Sequence, residues 1–334
     1  MDSERGRTGL GLSDGRVRQK GIGVAGKPIL VTGSIRSGTT WIGQMLAAAR
    51  SVGYIWEPLN FRWGARNPGV CSAPVRRWYP YISAENGSNY EEALKNTLEF
   101  RYSLRKGLQG VQSRMDLRRM LYECSAFLGN RLRGARPLVK DPFALFSAEW
   151  LSKKFDMDVI IMIRHPAAVA CSLQRLNWGV PFEHLLDQPL LLRDHLQPFE
   201  PEIQQRAEAE RDIIEEAILL WRMVYSVVAK YRRRHHDWFF LRHEDIASEP
   251  LTQFPALFES LQLEFTPQAA SVIQKHSIPE HPNGVAVQEA FSLRRDSRAA
   301  TSSWKRELSE AVIERIRAGT SDVAAEFYSK EDWK

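Results

Sequence analysis

Short apolar runs alternating with helical patterns predict an α/β fold in which a parallel sheet is covered by helices on both faces. Three observations carry the prediction. Five runs rich in Val, Ile, Leu and aromatic residues read as buried strands. Helical patterns lie between several of them. The first run ends in a glycine-bearing turn that opens directly into a helix, and in such sheets ligands bind beyond the carboxyl ends of the strands.

Residues 1–27 mix seven glycines with arginines and lysines and have no apolar period, so they read as a flexible basic tail. PILVTG, Pro28 to Gly33, is the first buried strand, and a helix is expected from Thr39 to about Ala49. VGYIW (Val52 to Trp56), PLVK (Pro137 to Lys140), DVIIMI (Asp158 to Ile163) and WFFLRH (Trp238 to His243) are the remaining strands. Phe143 to Lys154 reads as a helix, and Pro166 suits the first position of another, where its missing N–H goes unused. From Glu202 to Arg234 an amphipathic pattern predicts one long packing helix, with Ile213, Ile214, Ile218, Trp221, Val224 and Tyr225 on one face. The stretches 60–136 and 177–201 break the alternation with Trp-, Tyr-, Arg- and Pro-bearing segments and are candidates for an acceptor-binding cap.

At 334 residues with 43% hydrophobic content the chain can bury a full core, and one domain over 28–334 is favoured. The formal charge of +6 suits an acidic ligand without selecting among nucleic acid, lipid and phosphorylated cofactor. Cys71, Cys124 and Cys171 follow neither a disulfide nor a metal-ligand spacing, which fits a reduced, cytoplasmic compartment and a chain without a metal site. No apolar run is long enough for a transmembrane segment, and the amino terminus has no apolar signal region.

The most informative string is Gly33-Ser-Ile-Arg-Ser-Gly-Thr-Thr40, between a strand and a helix. There, backbone N–H groups and the positive end of the helix dipole converge on an anion. A nucleoside triphosphatase would place Lys immediately before the last Ser or Thr, but Thr39 occupies that position. The cation is instead Arg36, inside the loop. That shift suits a 5′-phosphosulfate better than a magnesium-bridged triphosphate.

IRSGTTW resembles the 5′-phosphosulfate loop of the sulfotransferases that use 3′-phosphoadenosine-5′-phosphosulfate (PAPS), and its Arg is closest to the carbohydrate and tyrosylprotein branches. The resemblance extends over about Pro28 to Lys305. It implies a P-loop-type three-layer α/β/α domain with a parallel, roughly five-stranded sheet. It also implies PAPS as sulfuryl donor and PAP as product, with Arg36, Ser37, Gly38, Thr39 and Thr40 binding the donor. DVIIMIRHPAAVACS is similar to the family's 3′-phosphate motif, an Arg-x-Pro turn with Ser eight residues after the Arg, which points to Arg164 and Ser172. By themselves those two residues read as a surface charge and a buried hydroxyl; two matching motifs in the right order outweigh that reading. LRHEDIASEP resembles the segment whose Tyr lies against the adenine, but His243 stands in the place of that Tyr. It is either a ring against the base or a strand-end histidine with no ligand. RRDSRAATSSWK is similar in position to the family's basic closing segment. Its spacing to Trp304 selects Arg298 as a phosphate contact, while Arg294 and Arg295 are solvated loop charges.

Sulfuryl transfer needs in-line attack, a base at the acceptor hydroxyl and cations on the moving group. Glu57, in the YIWEPL turn, sits the same distance after Arg36 as a Glu does in both branches, and is the candidate base. VKDPF resembles the tyrosylprotein branch, where the Lys neutralises charge on the sulfuryl group; this assigns Lys140. Asp141 reads as a helix cap. Ser292 and Ser297 are alternative donors to the sulfuryl oxygens. The expected acceptor is a hydroxyl of a glycan, a glycolipid or another hydroxylated molecule, with a protein tyrosine as the alternative. Trp56, Trp63, Trp78 and Trp178 serve either as sugar-stacking platforms or as packing. A P-loop kinase is disfavoured by the missing Lys and by the lack of an obvious magnesium-binding carboxylate, and a non-catalytic nucleotide-binding protein stays open. Nucleic acid is not an expected partner, and the oligomeric state is open.

Overall fold

The computed structural model describes residues 26–62, 67–276 and 299–334. Five strands, β1 (Ile29–Gly33), β2 (Val52–Trp56), β3 (Arg136–Lys140), β4 (Asp158–Ile163) and β5 (Phe239–Arg242), form one sheet of order β2-β3-β1-β4-β5. Every pairing is parallel, with Ile29 opposite Leu138 on one side and Asp158 on the other. β1 is therefore central, and the loop after it emerges at the middle of the carboxyl edge.

Helices cover both faces because successive strand residues point to opposite sides. Ile29 and Val31 of β1, with Ile160 and Met162 of β4, pack on α1 (Thr39–Leu46) and on the helical run near Phe254 and Ile273. Leu30, Val159, Ile161 and Ile163 face the other way. On that side lie α2 (Ser88–Leu98), α3 (Arg114–Leu132), α4 (Ala148–Phe155), α5 (Pro166–Leu176), α6 (Glu200–Glu208), α7 (Ile213–Arg234) and α8 (Glu310–Ala324). Most of these contribute leucine, isoleucine or aromatic side chains to a single apolar cluster, such as Leu94, Phe127, Leu151, Leu173, Trp221 and Ile316. Each such fully buried side chain is worth roughly 1.5–3 kcal/mol. The result is the three-layer α/β/α arrangement.

Three element boundaries differ from those the sequence predicts. α1 closes at Leu46, three residues early, with Ala47 in the cap position. The segment Pro142–Ser147 is a 3₁₀ helix, and only Ala148–Phe155 is α-helical. All six 3₁₀ residues are buried, and Ser147 Oγ is tied to Ile82 N (2.8 Å) and Pro80 O (2.6 Å), so packing rather than propensity sets the winding. The long pattern from Glu202 is two helices, α6 and α7. Asp212 makes the break: its carboxylate accepts from Ile214 N (3.0 Å) and Glu215 N (3.2 Å), an N-cap that starts a new helix. All six residues of the predicted packing face fall in α7. Pro166 opens α5 as expected. Of the basic tail, 1–25 lie outside the described residues.

Candidate active site

The loop between β1 and α1 is shaped by three positive φ angles. Gly33 has φ 152°, and a Cβ there would come 2.5 Å from Met162 O, so glycine alone lets β1 turn off beside β4. Arg36 takes a left-handed φ of 64°, uncommon for a residue with a side chain and a mark of a site held by its surroundings. Gly38, at φ 95°, caps α1 with no side chain, leaving the helix's first-turn N–H groups for an external anion. Gly38, Thr39 and Thr40 line the central cavity, which encloses about 1700 Å³. Ser37 does not line it: its hydroxyl is fully buried and its N–H bonds Ser34 O at 3.2 Å. From below, Tyr79 Oη accepts from Ile35 N at 3.0 Å and fixes the loop's height.

The two predicted phosphate motifs converge. Arg36 Nε donates to Ser172 Oγ at 2.9 Å, and Arg164 Nη1 donates to Arg36 O at 2.7 Å. Ser172 therefore sits on the guanidinium of the first motif rather than beside Arg164 alone, because α5 runs back under the loop. All three residues line the cavity. The Arg164 turn is clamped by groups that sequence reasoning missed. Arg164 N donates to Tyr225 Oη (3.0 Å), Trp221 Nε1 donates to Arg164 O (2.9 Å), and His165 N donates to Glu244 Oε1 (3.0 Å). Burial pushes the Glu244 carboxyl pKa up, while the bond from His165 N opposes the shift. The signal for Glu244 was present in the sequence, one residue after His243.

Glu57 follows β2 with a left-handed φ of 41°, and its N–H extends the ladder to Lys140 O at 2.8 Å. That register brings its carboxylate onto the Lys140 ammonium. Asn60 Nδ2 donates to the second oxygen, Oε2, at 2.6 Å. Lys140 Nζ lies 3.6 Å from the centre of the Trp56 ring. Its stem passes Gly43 of α1, where an added Cβ would approach the Lys140 Cβ to 3.1 Å. Burial lowers the Lys140 pKa, and the Glu57 carboxylate opposes the shift. Glu57 and Asn60 line the cavity; Lys140, fully buried, does not. The sequence expectation placed this ammonium against the transferred group. In the structure it meets Glu57 instead of lining the cavity, because the last residue of β3 points beneath α1. Asp141 caps the next turn through Phe143 N at 2.9 Å and also accepts from Leu59 N at 2.6 Å. Burial, and then the nearby Glu57 charge, push its pKa up to about 8.

His243 lines the cavity beneath Gly38, its ring 5.5 Å from that of Trp41. Burial, reinforced by Arg164, drives its pKa well below the usual histidine value, so the ring is neutral. The cavity is also lined by Trp56, Tyr122, Phe127, Phe143 and Trp178, of which Tyr122, Phe127 and Trp178 come from the two candidate cap stretches. The ring of Trp178 carries the Arg36 guanidinium at 5.6 Å. Trp78 is almost fully buried, packed edge-on to Phe143. Glu123 of α3 also lines the cavity, and burial pushes its carboxyl up to about 7. Arg298, Ser292, Ser297 and Trp63 lie outside the described residues. Among the described residues no group of His, Cys, Asp and Glu could hold a metal ion.

Solved structures similar to this chain include the sulfotransferase domain from the curacin biosynthetic pathway, at 14% identity and TM-score 0.47 over 89% of this chain and 98% of that one. The sulfotransferase domain of the Synechococcus PCC 7002 olefin synthase gives 15% and 0.44, covering 93% and 98%. Sulfotransferase STF9 from Mycobacterium avium gives 15% and 0.43, covering 90% and 77%. A comparison with curated protein sequences finds no match. The model of the Sulfotransferase family matches residues 28–267, from the start of β1 through the whole sheet, and this chain belongs to that family.

Proposed function

We propose that the chain transfers a sulfuryl group from PAPS to a hydroxyl of a glycan, a glycolipid or another hydroxylated acceptor. One observation carries the reading: a helix N-terminus without a side-chain cap and a lysine-anchored carboxylate face the same cavity. The residues present fit the donor. The first-turn amides of α1, with Arg36, Ser172 and Arg164, make a cationic cradle in which a Cβ at Gly38 would overlap His243. At about 1700 Å³ the cavity exceeds the roughly 300–1,000 Å³ of ordinary ligand sites, leaving room for donor and acceptor together. Its aromatic wall suits the faces of sugar rings.

When bound, PAPS contributes a phosphosulfate anhydride, and its sulfuryl group leaves PAP behind as the new acceptor O–S bond forms. Glu57 takes the acceptor proton, using a lone pair not committed to Lys140 or Asn60. Arg36 places positive charge at the loop, where negative charge grows on the departing phosphate. Lys140 is a positioning residue that holds Glu57 toward the cavity.

The test is transfer of label from isotopically labelled PAPS, read by mass spectrometry, alongside PAP binding by calorimetry. Glu57→Gln should keep PAP affinity and lose about 10²–10⁴-fold in turnover, whereas Arg36→Ala should weaken both. Full activity of Glu57→Gln with every acceptor tried would remove it as the base. Magnesium-dependent phosphorylation by ATP would replace the reading with a kinase. PAP binding without transfer to any hydroxyl acceptor would leave a non-catalytic binding protein.

A further inference from the structure

Among the described residues, nine large hydrophobic side chains are exposed, and eight of them fall between Leu104 and Leu132. Six are on α3: Met115, Leu117, Leu121, Tyr122, Leu128 and Leu132. At about 100° per residue the four leucines fall within an arc of roughly 60°, away from the side that buries Met120, Phe127 and Asn130. Leu104 and Leu108, on the short preceding helix that contacts α3, are exposed as well. On the same helix, a Cβ at Gly129 would meet none of the described residues within 4 Å.

Charge is concentrated in the same segment. Residues 101–133 hold eight Lys or Arg against two Asp or Glu, a net charge of +6, which equals that of the whole chain. The two acids are engaged: Asp116 pairs with Arg119, and Glu123 accepts from Asn67 at 2.7 Å. Arg114, Arg118 and Arg131 are exposed around the leucines. Apolar side chains rimmed by arginines are the pattern of a helix lying in a membrane interface, its stems buried and its guanidinium groups reaching anionic headgroups. A second copy of the chain would bring a like-charged face against this one, which disfavours self-association. Among the described residues no helix is long and apolar enough to cross a membrane, so the contact is with a surface.

We propose that α3, with the short helix before it, docks this chain on an anionic lipid surface. The same helix turns Tyr122, Ala126 and Arg133 into the cavity wall, so docking sets the cavity rim against the lipid. On the sulfotransferase reading above, that favours acceptors whose hydroxyl is carried by a lipid. The docking itself does not depend on that reading and is measured without donor or acceptor.

The experiment is flotation of the full chain with phosphatidylcholine vesicles, with and without about 30% phosphatidylserine. The wild type should float with the anionic vesicles only, and less so as salt rises. The triple variant Leu121→Ser/Leu128→Ser/Leu132→Ser should lose binding at least about tenfold with an unchanged Tm. Arg118→Glu/Arg131→Glu should do the same, and Leu251→Ser, an exposed leucine elsewhere, should bind as the wild type does. The proposal is overturned if the wild type does not float, or if the triple leucine variant floats as the wild type does. It is equally overturned if the wild type ignores vesicles and forms a dimer that the triple variant abolishes, since the face would then be a self-association surface.

Discussion

Removing either member of the Glu57–Lys140 pair should destabilise the protein, and removing both should cost less than the sum. The Lys140 side chain is fully buried, and that of Glu57 is 13% exposed. Glu57→Gln leaves an ammonium with the Trp56 face, an amide oxygen and the neighbouring Asp141, and breaking a buried pair from one side costs about 3–5 kcal/mol. Lys140→Met leaves the carboxylate, but that group keeps Asn60 and reaches the cavity edge, so the loss should be nearer 1–3 kcal/mol. In the double variant neither charge of the pair remains to be left unpartnered, so the coupling should be about 2–3 kcal/mol. Urea unfolding of the four proteins at constant m-value reads each term. The pH dependence adds a sign. Without Glu57, burial depresses the Lys140 pKa with only Asp141 left to oppose it, so the folded state binds fewer protons than the unfolded one. Stability of Glu57→Gln should then rise as pH climbs toward the ordinary lysine value of 10.5. For activity, Lys140→Met should keep PAP affinity while turnover falls, the split expected of a residue acting through Glu57. Additivity of the two single variants within about 0.5 kcal/mol would refute the pair as a coupled unit.

Gly38→Ala should weaken PAP binding and destabilise the fold by about 1–3 kcal/mol, since alanine resists φ 95° and its Cβ overlaps His243. Adding His243→Ala should relieve the overlap but not the backbone cost, as calorimetry and thermal melts would show. Glu123 has a folded pKa near 7, above its ordinary 4.5, so the wild type loses stability as pH rises through that interval. Glu123→Gln should therefore match the wild type below pH 4.5 and exceed it above 7, by melts across that range. Asp212→Ala should cost about 1–2 kcal/mol in urea unfolding through loss of the α7 cap, with turnover unchanged.

Elements that carry their own period were legible in the chain. The strands read as VGYIW and DVIIMI match their observed limits, because a buried parallel strand is a continuous apolar run. The Glu202 to Arg234 pattern hid a break, because charged residues of good helix propensity continue through it and only the Asp212 side-chain bonds reveal the new start. The 3₁₀ segment at Pro142–Ser147 was invisible for a related reason. Its winding is set by contacts to residues 80 and 82, far away in the chain.

For the site, local chemistry was enough to find Gly33 to Thr40: a strand, a turn tolerant of positive φ and a helix start lie within a dozen residues. The family resemblance brought Arg164, Ser172, Glu57 and Lys140 to attention. What the linear order could not contain was which atoms meet. Ser172 lies on Arg36 because α5 returns under the loop, 136 residues later in the chain. Lys140 faces Glu57 rather than the cavity because of the β2–β3 register. Tyr79, Tyr225 and Trp221 hold the two turns with hydroxyl and indole groups that look in sequence like any other buried side chain. The apolar face of α3 is of the same kind, since a leucine declares itself exposed only when nothing folds over it. Sequence alone determined the alternating fold and the loop that joins β1 to α1, both products of short-range backbone chemistry. Tertiary structure decided the direction of each charged side chain, because that depends on neighbours supplied by distant strands and helices.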